Sequence, residues 1–132
     1  MRNYQILDVA QVADKNILRL TNAEDKPENP SLSMSREGAF VSISVSFGPL
    51  EIAIRLRYDE LARHLGRLHP VPGLATTRQS GGANAYISLG LTQDNKLVLR
   101  PTLVTDASGH IVFNLVCTPQ VKDKIFDWLE LD

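Results

Sequence analysis

Cysteine occurs once in the 132 residues, at Cys117, which excludes an internal disulfide framework and says nothing against a reducing cytoplasm. No apolar run approaches the roughly 20 residues that a membrane-spanning helix needs. The N-terminal stretch MRNYQILDVAQVADK has no apolar core of signal-peptide type, so a soluble cytoplasmic protein is expected. Charge of one sign is not in excess: the net charge is −1, and there is no overall basic field to capture nucleic acid. Motifs are also scarce. No C-x-x-C, H-E-x-x-H, G-x-G-x-x-G or P-loop pattern is present, and no cofactor or metal is expected.

What is present is ordinary for a globule. Hydrophobic residues make up 43% and charged residues 22%, and the length fits one domain over 1–132. The clearest pattern runs from Phe40 to His69. Val41, Ile43, Val45 and Phe47 alternate with Ser42, Ser44 and Ser46. After Gly48-Pro49, Leu50, Ile52, Ile54 and Leu56 alternate with Glu51, Ala53, Arg55 and Arg57. Two runs of period two around a short break predict a hairpin with one apolar face. Leu61, Leu65 and Leu68 then fall on one helical stripe, with Asp59 as the expected N-cap. Pro70 and Pro72 end the helix near His69. Gly66 within it suggests close packing on another backbone, or a helix held by its tertiary contacts.

Residues 3–13 read as a strand and Ile17–Leu20 as a second, an N-terminal hairpin. Residues 21–38, polar and with two prolines, read as a flexible loop in which Leu32 and Met34 are the only large apolar anchors. A short strand is expected within Leu74–Gln79, and further strands at Asn84–Leu91, Lys96–Val104 and His110–Cys117. Pro101 marks the second of these as an edge or bulged strand. Thr118-Pro119 caps a last helix whose buried face is Val121, Ile125, Trp128 and Leu129. The expected class is α+β, with about seven antiparallel strands and two helices in the order strands, helix, strands, helix.

In that order of elements the chain resembles the strand-rich units closed by helices in Whirly-type and related single-stranded nucleic-acid-binding proteins. The resemblance implies binding of single-stranded DNA or RNA. The residues available for it are Arg55, Arg57, Arg63 and Arg67, with Tyr86 as a stacking platform on the polar face of its strand.

Charge is unevenly spread. Residues 55–100 hold seven basic and three acidic side chains, against five and seven in 1–54 and two and five in 101–132. The basic middle offers a patch for phosphates, carboxylates or an acidic partner, and solvated faces are the plain alternative. The serine face of Ser42, Ser44 and Ser46, with Ala53 opposite and Ser88 and Gly90 expected nearby, suits a groove or a subunit contact. A solvent-facing sheet surface explains it equally well. Cys117 reads as a small core residue, although a Cys–His pair with His69 or His110 is a conceivable nucleophile. His64 and His69 diverge by about 140° around a helix and do not form a metal site. The leading expectation is a non-catalytic binding module that acts on a protein partner or as a homo-oligomer. Single-stranded nucleic-acid binding comes second, and an enzyme of unrecognised type third.

Overall fold

Alternation of buried and exposed side chains generates most of the architecture. The computed structural model describes residues 3–24, 26, 29–106 and 108–131. In chain order the elements are β1 (Gln5–Leu7), β2 (Val9–Asp14), β3 (Ile17–Thr21), β4 (Ser31–Glu37), β5 (Phe40–Phe47), β6 (Leu50–Arg57) and α1 (Tyr58–Gly66). They continue with β7 (Pro70–Val71), β8 (Arg78–Gly81), β9 (Ala85–Thr92), β10 (Leu97–Asp106), β11 (Gly109–Val112), β12 (Leu115–Cys117) and α2 (Pro119–Trp128). The class is α+β, in the expected order. Among the described residues the strands number twelve rather than about seven, because several are only two to four residues long.

The strands form two sheets. One is a meander, β2-β3-β4-β5-β6, antiparallel throughout. The other has the order β1-β12-β10-β9-β7, with β11 also on β10 and β8 also on β9. Its β1–β12 and β7–β9 pairs are parallel. The chain passes from one sheet to the other at Asp8, so the strand expected over 3–13 is divided in two. Buried side chains of both sheets and both helices make one hydrophobic cluster, from Leu18, Leu32 and Ile43 to Leu99, Leu115 and Ile125.

The β5–β6–α1 unit forms as its pattern dictates, in register from Phe40↔Arg57 to Phe47↔Leu50. Three details differ from expectation. Arg57, not Asp59, occupies the N-cap position, without a side-chain hydrogen bond. Asp59 instead accepts from the Glu60 N–H at 2.8 Å. The helix ends at Gly66, and a Cβ placed there would meet nothing within 4 Å, so close packing is not its reason.

The flexible loop expected over 21–38 is corrected in its second half. Ser31–Glu37 is a full strand between β3 and β5, and Leu32 and Met34 are 0% and 1% exposed. Two inward side chains in a ladder hydrogen-bonded on both sides suffice, although the outward residues are polar. Asp25, Pro27 and Glu28 lie outside the described residues. Arg36 stacks 3.5 Å over the Tyr58 ring, and the Tyr58 hydroxyl donates to the Leu129 carbonyl. Together these contacts tie β4 to α1 and to the end of α2.

In the larger sheet, the strand expected within Leu74–Gln79 forms later, as β8. Thr77 nonetheless donates its N–H to Leu89 O at 2.8 Å, and the segment before it passes over β9 at Gly90. Only glycine fits there: an added Cβ would stand 2.0 Å from the Ala75 carbonyl oxygen. Val98, directly across from Gly90, is buried on that same outward side. Pro101 is not on an edge, because β10 is paired on both flanks. It faces the break between β11 and β12. Phe113 donates to Pro101 O at 3.0 Å, and Pro101 has no N–H to complete the pair. Register is otherwise continuous across the break, from Leu99↔Leu115 to Thr102↔Val112. At α2, Thr118 Oγ1 accepts from the Val121 N–H at 3.3 Å and Pro119 follows, as expected.

Candidate functional site

The outward face of the meander carries a block of hydroxyls twice the size expected. Ser31, Ser33 and Ser35 of β4 stand directly across from Ser46, Ser44 and Ser42 of β5. Arg19 flanks the middle row on β3, with Ala53 on β6. The β4 serines are hidden in the sequence because their strand has the polar composition of a loop. Ser88 and Gly90 do not adjoin this face, since β9 belongs to the other sheet.

Arg55 and Arg57 sit on the same face, but both are already engaged. Arg55 is 3.8 Å from Glu37 and lies 4.1 Å over the Phe40 ring. Arg57 is 3.5 Å from Asp59. Ser42 donates to the same Glu37 carboxylate at 3.2 Å. Exposed pairs of this kind contribute about 0–1 kcal/mol each. Their effect on function is to cancel charge that a ligand would otherwise meet.

Arg63 and Arg67 belong to a different surface. Helix α1 buries Leu61 and Leu65 in the core on the apolar side of the meander, and packs on β6 and β8. It is fastened to β8 by two polar contacts. Glu60 Oε1 accepts from the Gly81 N–H at 3.0 Å, and His64 Nδ1 lies 2.6 Å from Ser80 Oγ. Glu60 and His64 are four apart and therefore share one face of the helix. The pairing partners on β8 leave no trace in the sequence, because Ser80 lies in an apparently irregular Gly-rich stretch.

Arg63, Arg67 and Arg78 flank this seam, the first two on α1 and its C-cap and the third at the start of β8. Burial lowers the His64 pKa from its ordinary value of 6.5; nearby Glu60 opposes the shift, and the guanidiniums of Arg63, Arg78 and Arg67 reinforce it. Among the described residues these three arginines have no ion-pair partner, unlike Arg55 and Arg57. Arg78 extends the pair recognised on the helix.

Tyr86 is on neither surface. It faces outward from β9 in the larger sheet, across from Thr102 of β10, in a hollow that Arg100 also lines. The arginines and Tyr86 therefore do not form one surface across a sheet, and the arginines divide into three separate groups. Ser42, Ser44 and Ser46 share a face with Arg55 and Arg57 alone among the residues singled out for binding.

The candidate nucleophile fails on geometry and chemistry. Cys117 is 0% exposed, and burial pushes its thiol up to about 12, so the thiolate is absent at neutral pH. Ser80 touches a histidine but is itself fully buried and inaccessible to a substrate. Among the described residues no three His, Cys, Asp or Glu side chains group as metal ligands, and no helix is long and apolar enough to cross a membrane.

No protein-family model matches the chain, and neither the curated proteins nor the solved structures compared with it contain a match. The resemblance to Whirly-type proteins thus stays one of element order.

Proposed function

We propose that the protein is a cytoplasmic, non-catalytic binding module that works through protein–protein contact, docking a carboxylate-rich surface on Arg63, Arg67 and Arg78. One observation carries this reading: Arg63 and Arg67 of α1 and its C-cap and Arg78 of β8 flank the α1–β8 seam without an ion-pair partner among the described residues. Guanidiniums without an ion-pair partner favour an oppositely charged partner and speed its approach, and they outnumber the single Glu60 carboxylate at the seam. The seam is also fixed in position, because Glu60 and His64 hold the helix to β8. A second copy of the chain is one such partner, since Asp127 of α2 and Glu130 just beyond its end are exposed. Sedimentation equilibrium at low salt, combined with affinity capture, tests the proposal. A self-associated species or a recovered partner is expected, and a strict monomer that captures nothing overturns it.

Single-stranded nucleic acid is the second reading, favoured by the same unpaired arginines. It predicts salt-sensitive binding of an oligonucleotide, because each neutralised phosphate releases counterions. An unchanged anisotropy at micromolar protein and low salt rules it out.

A further inference from the structure

The hollow on the outward face of the larger sheet is independent of the α1–β8 seam. Its volume is about 260 Å³, and its floor is built by cross-strand register. Ser88 stands across from Arg100, Tyr86 across from Thr102, Thr102 across from Val112, and Val104 across from His110. Facing pairs of this kind place their Cβ atoms about 4.5–5.5 Å apart, so these side chains converge on one small volume. On β9 and β10 they alternate with core residues such as Ile87, Leu89 and Leu99, which fixes those strands beneath them.

Arg100 is the chemically decisive member. Its Nε–H donates to Asn114 Oδ1 at 3.0 Å, which sets the plane of the guanidinium. The remaining N–H donors are on the two Nη atoms. No carboxylate pairs with this arginine among the described residues. The Ser88 and Tyr86 hydroxyls are further donors, while Thr102 Oγ1 is already committed to the Arg100 carbonyl at 3.0 Å. An oriented, part-buried guanidinium with hydroxyls beside it is matched to the paired oxygens of an oxyanion.

Asp106 lines the far end of the hollow, held by the Ser108 N–H and hydroxyl. It is six residues along β10 from Arg100, beyond the irregularity in register between Val104 and Asp106. The anion-favouring end is therefore the Arg100–Ser88 end, with the Tyr86 ring next to it and His110 beyond.

We propose that this hollow binds the anionic group of a small ligand, a phosphate ester or a carboxylate, on Arg100 and Ser88, with the Tyr86 ring against the ligand body. The test is a titration of ¹⁵N-labelled protein with inorganic phosphate, phenyl phosphate and benzoate, followed by amide shifts. Saturable shifts are expected at residues 86–88, 100–102 and 109–112, with phenyl phosphate or benzoate bound more tightly than inorganic phosphate. The tighter of the two aromatic probes identifies the anion. Arg100→Gln weakens binding at least tenfold and Arg63→Gln leaves it unchanged, which separates this site from the seam. Because Arg100 also braces Asn114, Ser88→Val provides a second variant that removes a donor and narrows the hollow without touching that contact. Shifts that never saturate, shifts spread over all the arginines, or undiminished binding in Ser88→Val overturn the proposal.

Discussion

Cys117 lies at the end of β12, between the sheet and α2, and its environment decides its chemistry. A thiol raised to about 12 by burial is a packing group, not a nucleophile. Native protein is therefore expected to resist Ellman's reagent at pH 8 and to react stoichiometrically once unfolded in urea; rapid labelling of the native state contradicts this. His64 makes the opposite kind of prediction. Its folded-state pKa lies below 6.5, so the unfolded chain binds the proton more readily than the folded one. The stability that neutral His64 contributes is present above about pH 6.5 and is lost as pH falls through the folded-state value. The urea midpoint should fall more steeply on acidification below 6.5 in the wild type than in His64→Gln. An NMR titration of the ring that gives a value at or above 6.5 counts against the account.

Between neighbouring elements, the two glycines Gly66 and Gly90 show what packing demands. Gly90 lies under the Ala75 carbonyl, so Gly90→Ala forces the Leu74–Thr77 segment off β9 and should cost about 1–3 kcal/mol in thermal or urea unfolding. Gly66 has open space around it, and Gly66→Ala should be neutral or stabilising by up to about 1 kcal/mol. If the two variants behave alike, the strap over β9 is misplaced. Such differences mark the limit of what the sequence reveals. Period two in Val41–Leu56 specified the central hairpin and its apolar face, and the Thr118-Pro119 cap located α2, because both signals are local. Strand β4 was obscured because only Leu32 and Met34 project inward from it, and its polar composition imitates a loop. What makes it a strand is the pairing with β3 and β5, which no local pattern records. The place of Pro101 depends in the same way on its neighbours. Its missing N–H does not place it at an edge when the neighbouring strand is itself interrupted there.

At the scale of the whole molecule, charge is sorted by sheet face. The arginines of β6 are neutralised by Glu37 and Asp59 on the meander face, Arg100 lies in a hollow of the larger sheet, and Arg63, Arg67 and Arg78 flank the seam between α1 and β8. The individual arginines were legible in the sequence, but their grouping was not, because it depends on α1 covering the apolar side of the meander and on β8 pairing with β9. The functional account rests on the third group. It is tested most directly by affinity capture with wild type, with Arg63→Glu/Arg67→Glu/Arg78→Glu and with Arg55→Glu/Arg57→Glu, each at low salt and near 1 M salt, where the screening length falls to about 3 Å. The expected result is a stoichiometric partner, or a second copy of the chain, held at low salt by wild type and by the β6 variant. High salt and the seam variant should both release it. Retention of that partner by the seam variant, or its loss from the β6 variant alone, would contradict the account.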